Sequence, residues 1–86
     1  MKNKIEVGQK TTLDKLIIGQ KAKVLSLQNE NKALRRRLLD MGITKDVVIL
    51  IKKIAPLGDP IDIELRGYEL CLRLNDMKNI DVEVIE

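Results

Sequence analysis

The sequence predicts a mainly β domain with one short helix, a small antiparallel β-barrel of about five strands. Three observations predict it. First, Pro56-Leu57-Gly58-Asp59-Pro60, Ile61-Asp62-Ile63-Glu64-Leu65 and Arg66-Gly67-Tyr68-Glu69-Leu70-Cys71-Leu72-Arg73 read as turn, strand, turn and strand. Pro and Gly fix or free φ where the chain reverses, and alternation of apolar with charged residues turns one face inward. Second, short period-two segments recur every ten or so residues, the pattern of an antiparallel meander. Third, only one stretch has helical spacing. A sheet of about five strands in a chain of 86 residues buries its apolar side best by curling on itself, with the helix closing one end.

Residues 1–11 show no sustained period and read as a flexible tail, leaving one domain over residues 12–86. Thr12-Leu13-Asp14-Lys15-Leu16 reads as one helical turn opened by a Thr cap, and Gly19-Gln20 turns the chain after it. Lys21-Ala22-Lys23-Val24 alternates, and Leu25-Ser26-Leu27 continues with its phase disturbed, which predicts a bulged first strand. Asn29 or Asn31 caps the helix, expected over residues 31–41. Ala33 to Met41 holds no β-branched residue, Gly or Pro, and Leu34, Leu38 and Met41 form one apolar stripe. Gly42 supplies the left-handed residue that ends it, with Ile43 placed to touch Leu38. Val47 to Ile54 is a near-continuous apolar run, as in a strand covered on more than one side. Ile61 to Leu65, then Leu70, Leu72 and Leu74, then Ile80, Val82 and Val84 complete the strands.

Tyr68 is the single aromatic residue, so the core is built from Leu, Ile and Val. A domain of this size buries only about 60% of the surface of its unfolded chain. The longest apolar run, Val47 to Ile51, is far short of the roughly 20 residues that cross a bilayer, so no membrane insertion is expected. The polar N-terminus has no apolar signal core, and the lone Cys71 has no internal disulfide partner; both agree with a cytoplasmic protein. Residues 1–54 hold 13 Lys or Arg against 5 Asp or Glu, whereas residues 55–86 hold 3 against 8. The molecule has a basic and an acidic side unless the fold interleaves the two halves.

The chemistry-bearing residues are few. There is no His, and Ser26 is the one serine, with no evident base beside it. Cys71 alternates with Leu70 and Leu72 and so points off the buried face. Asp62 and Glu64 stand on the outward side of a strand. No enzyme is expected. No Gly-rich run ends in Gly-Lys-Ser or Gly-Lys-Thr, so the chain is not a P-loop NTPase. One thiol and scattered acids make no dedicated cofactor or tight iron site. Arg35-Arg36-Arg37 lies on the helix, with Arg35 and Arg36 toward solvent and the Arg37 stem along the apolar stripe. Without aromatic platforms, nucleic acid is not the expected partner. For the same reason the barrel does not read proline-rich peptides, and a partner would meet an aliphatic groove or an added strand edge.

From about Thr12 to Val84 the chain resembles the FeoA family, most closely over Ala33 to Gly42 and over Ala55-Pro56-Leu57-Gly58-Asp59-Pro60-Ile61 followed by Arg66-Gly67-Tyr68-Glu69-Leu70. Met41 replaces the usual Leu before Gly42, and Lys45-Asp46 stands where a Pro-Gly pair is common, which implies a different turn there. The resemblance implies an SH3-like barrel and a cytosolic accessory or regulatory role in bacterial ferrous iron uptake, through binding to the FeoB membrane GTPase transporter. If the chain stimulates GTP hydrolysis on that partner, Arg35, Arg36, Arg66 and Arg73 are candidates by residue type. An alternative is a detached SH3-like regulatory domain related to the C-terminal module of iron-dependent repressors. The expected partner-binding residues are Arg35, Arg36 and Leu57, with barrel capping as the competing role for Leu57.

Overall fold

A computed structural model describes residues 5–28 and 30–86. The elements are β1 (Lys10–Thr12), a 3-10 turn over Leu13–Lys15, β2 (Lys21–Leu27), α1 (Lys32–Asp40), β3 (Val48–Ile54), β4 (Ile61–Leu65), β5 (Tyr68–Leu72), α2 (Leu74–Met77) and β6 (Ile80–Val84). All six strands form one sheet in the order β1-β6-β2-β3-β4-β5, and every neighbouring pair is antiparallel. The inward residues of β2 to β6 meet in a single apolar cluster with Leu13, Leu16, Leu38 and Met77. The sheet therefore curls around one core, as the alternating segments require.

The predicted bulge in β2 falls between Val24 and Ser26, where the apolar phase slips. A second bulge lies between Ile51 and Lys53 of β3. The first of two candidate helix caps, Asn29, lies outside the described residues. Asn31 does cap α1, accepting the Leu34 N–H at 3.0 Å. The helix ends in a Schellman motif: Ile43 N–H donates to Leu38 O and Gly42 N–H to Leu39 O, both at 3.0 Å. Leu38 and Ile43 are both fully buried.

Several expectations are corrected. The sequence places residues 1–11 in a tail, but Gly8 N–H donates to Val84 O, Val84 N–H to Gln9 O, and Lys10 to Thr12 add a sixth strand beside β6. Residues 1–4 of that tail lie outside the described residues. Leu74 does not continue β5. It opens α2, because the Asp59 carboxylate accepts the Leu74 N–H at 2.8 Å and Asn75-Asp76 has little preference for strand. The Thr12 hydroxyl bonds to Asp14 rather than capping the turn backbone. β3 is covered on one side only: Ile49 and Ile51 are buried, whereas Val48 is 40% exposed. Asp46 takes φ 72, the left-handed conformation in which Gly is at ease, so this turn keeps a Gly-like backbone at an ordinary residue's cost.

The two charge halves interleave. The acidic β6 lies beside the basic β2, with Lys23 opposite Glu83. Lys52 pairs with Glu64 at 3.5 Å and Arg37 with Asp76 at 3.1 Å.

Candidate functional site

The surface around α1 holds the residues the sequence singles out, but it divides them. Arg35 and Arg36 are exposed on the helix. Arg36 is tied to Asp40 one turn along at 3.3 Å, while Arg35 makes no ion pair among the described residues. Arg35 borders two recesses. One, of about 450 Å³, is lined by Lys32, Arg35, Arg36 and Leu39. The other, of about 360 Å³, lies between Leu25 and Leu27 of β2, Arg35 and Leu39 of α1, and Lys45. Leu39 is half-buried and stands outside the core cluster.

Leu57 is on a different flank. It is 97% exposed, which removes the barrel-capping role. Its turn is held by bonds from Gly58 N–H to Ala55 O and from Ala55 N–H to Pro60 O. Asp59 anchors the turn to the start of α2. The leucine borders a groove of about 500 Å³ shared with Arg37, Asp59, Arg73, Leu74 and Asp76. The Arg37 guanidinium reaches Asp76 of α2. The third arginine, not the first two, shares a groove with Leu57. Leu39 and Arg37 are the surface residues that sequence reasoning missed. An apolar side chain one step off the Leu34–Leu38–Met41 stripe was the available signal for Leu39; contact with α2 left none for Arg37.

None of this resembles catalytic machinery. The exposed Ser26 donates through Oγ to the half-buried Asp81 at 3.0 Å. Among the described residues no three of His, Cys, Asp and Glu gather as a metal site, and no helix is long and apolar enough to cross a membrane. Cys71 is exposed, off the buried face as its alternation with Leu70 and Leu72 requires. Its thiol is pushed up from its ordinary pKa by desolvation first, then by a hydrogen bond to Asp62 and the charges of Asp62 and Asp59, with Arg73 opposing. A raised thiol pKa keeps the group protonated, so it is a poor nucleophile at neutral pH. Alkylation of Cys71 by iodoacetamide is therefore expected to rise with pH along a curve whose midpoint lies above that of a free cysteine peptide, and Asp62→Asn should move the midpoint down. A midpoint at or below the peptide's would refute the assignment.

The fold and surface define a small barrel of binding-module type, whose short recesses are lined by aliphatic and arginine side chains. The comparisons with known proteins agree. Residues 11–84 match the FeoA domain, and the chain belongs to the FeoA family, whose domain serves ferrous iron transport. Over 73 residues, 85% of its length, it is 32% identical to a Fe(2+) transport protein A/Fe(2+) transporter FeoB fusion protein of Porphyromonas gingivalis, and it spans 8% of that fusion. The structure of a FeoA-like protein from Clostridium acetobutylicum superposes with a TM-score of 0.84 at 42% identity, covering 91% of this chain and 90% of the other. FeoA of Stenotrophomonas maltophilia, described as an SH3 domain protein complexed with zinc, gives 0.75 at 28% identity, covering 85% and 89%. The barrel is thus SH3-like, as the resemblance implies. A manganese-dependent transcriptional repressor, at 16% identity and a TM-score of 0.82 over 37% of its chain, shares the fold alone.

Proposed function

We propose that this chain is a cytosolic accessory protein of bacterial ferrous iron uptake that docks on a FeoB-like membrane GTPase transporter. The observation that carries this is the Porphyromonas gingivalis relative, in which a related segment is joined to FeoB in one polypeptide. A fusion holds two modules at high effective concentration; separate chains need a contact surface instead. The proposed surface is the exposed face of α1 with the turn after Ala55. Arg35 and Arg36 offer charge, and Leu57 offers an apolar side chain on a turn that is already ordered, so little conformational entropy is lost on docking.

The two flanks are tested separately, in pull-downs from membranes that contain the FeoB-like protein. Leu57→Ser, and the double reversal Arg35→Glu with Arg36→Glu, should each weaken capture at least severalfold while stability stays within about 0.5 kcal/mol. Capture unchanged in both would remove this face from the docking surface; loss with only one variant would confine docking to that flank. The alternative of a detached repressor-like regulatory domain is supported by likeness of fold alone.

A further inference from the structure

One of the two outermost strands of the sheet, β5, has a side with no strand beside it. β5 ends the strand order, and its register with β4 decides which backbone groups are left over. The two-residue turn Arg66-Gly67, with φ 51 and 83, makes Leu65 and Tyr68 a hydrogen-bonded pair. By alternation Leu70 and Leu72 also bond to β4. The N–H and C=O of Glu69 and Cys71 then point away from it. Among the described residues, no turn or loop backbone group bonds to either. Arg73 prolongs the edge by one extended residue, φ −78 and ψ 145, and its carbonyl receives the N–H groups of Asp76 and Met77. The side chains of Glu69, Cys71 and Arg73 are exposed.

We propose that this edge is a self-association surface, on which β5 of a second copy pairs antiparallel with Cys71 opposite Cys71 and Glu69 opposite Arg73. Charge selects both the occupant and the register. Sheet edges are commonly protected by charges that repel a second strand. Here the two charges have opposite sign and lie symmetrically two residues either side of Cys71. Only registers that set outward-pointing residues opposite each other complete the bonds. Centred on Glu69, such a pairing brings carboxylates face to face. Centred on Leu70, it sets Glu69 against Cys71 with no ion pair. Centred on Cys71, it forms the Glu69–Arg73 pair twice. Arg73 is free to turn outward, because its contact with Asp59 is a loose 3.7 Å and its side chain is 74% exposed. A single short edge buries little area, so the dimer is weak and salt-sensitive.

The test is sedimentation equilibrium of the full chain, reduced and at low salt, up to millimolar concentration. The expected result is a monomer–dimer equilibrium whose dissociation constant rises about tenfold in Glu69→Arg, where both ion pairs become repulsions. It should return to within about threefold of the parent in Glu69→Arg with Arg73→Glu. Glu69→Arg is compatible with folding, since residue 69 faces Glu64 on β4; circular dichroism checks this. Hydrogen-bonded antiparallel partners have Cα atoms about 5.5 Å apart, within disulfide range. Diamide at pH 8.5, which accepts the two protons and two electrons released by a thiol pair, should therefore link parent and charge-swapped chains through Cys71 faster than the single reversal. A chain that stays monomeric at millimolar concentration overturns the proposal. So does a dimer indifferent to Glu69→Arg, or equal disulfide rates in all three proteins.

Discussion

Gly42→Ala is expected to lower the stability of this domain by about 2–3 kcal/mol, although it adds one methyl group at the surface end of a helix. Gly42 has φ +92, a conformation that costs an L-residue about 1–2 kcal/mol. A Cβ there would also lie 2.5 Å from the Tyr68 hydroxyl oxygen, while the next contacts, to Tyr68 Cζ and Leu65 Cδ1, are ordinary at 3.8 and 3.9 Å. That hydroxyl is in place because it donates to the Met41 carbonyl at the end of α1. Making room for the methyl means moving the ring tip and giving up this bond, worth about 1 kcal/mol. A double-mutant cycle separates the two costs. In a Tyr68→Phe background the obstructing oxygen and its bond are already gone, so Gly42→Ala should cost only the backbone strain. Urea unfolding of the four proteins is the measurement. Strict additivity would show that the tyrosine does not lock the helix end.

This lock shows what could and could not be read from the sequence. Gly42 as a helix terminator followed by Ile43 is local chemistry, and the Schellman bonds fall where the pattern puts them. The β4–β5 hairpin is equally local: strict alternation around Arg66-Gly67 sets its register with no tertiary information. That the one aromatic residue reaches back 27 residues to the helix end depends on the start of β5 meeting the end of α1, which no spacing reveals. α2 failed for the same reason. The alternation of Leu70, Leu72 and Leu74 suggests strand, and the carboxylate that turns the chain at Leu74 comes from Asp59, 15 residues earlier. β1 was hidden because three residues carry too little pattern to outweigh a polar N-terminus; its partner β6 supplies the order.

The candidate surface follows the same division. Exposure of Arg35 and Arg36 follows from helical phase, whereas for Leu57 the Pro-bounded turn leaves barrel capping open and the structure places it in solvent. Their distribution over separate flanks of α1 follows from neither. Arg37, whose stem the helical phase assigns to packing, also lines the Leu57 groove, because α2 brings Asp76 within reach of its guanidinium. The residues proposed for docking, read from sequence as one patch, therefore lie beside separate recesses, and each group can be altered without the other.

Leu38→Ala should be the most damaging single change in α1, costing about 3 kcal/mol within a range of 2–5. Leu38 is the one buried residue of the helix and is fully buried in the common core. Truncating it leaves a cavity where the helix meets the barrel, and the rest of α1 has only partial contacts: Leu34 and Met41 are half-buried, and the ion pair of Arg37 with Asp76 has its guanidinium side 57% exposed. Exposed pairs contribute about 0.2–1 kcal/mol and cannot hold the helix in place of the leucine. Domains of this kind have only about 5–15 kcal/mol in total, so the variant should unfold at visibly lower urea. Its neighbour provides the control. Leu39→Ala removes the same atoms one residue further on, but Leu39 lies outside the core and lines the recesses beside Arg35, so its loss should cost less than about 1 kcal/mol. If Leu39→Ala is instead as costly as Leu38→Ala, α1 is rotated about its axis from the orientation described, and Arg35 and Arg36 would no longer share one exposed face. If the two differ as expected, the adjacent leucines divide the helix between holding the barrel end closed and furnishing its outer surface.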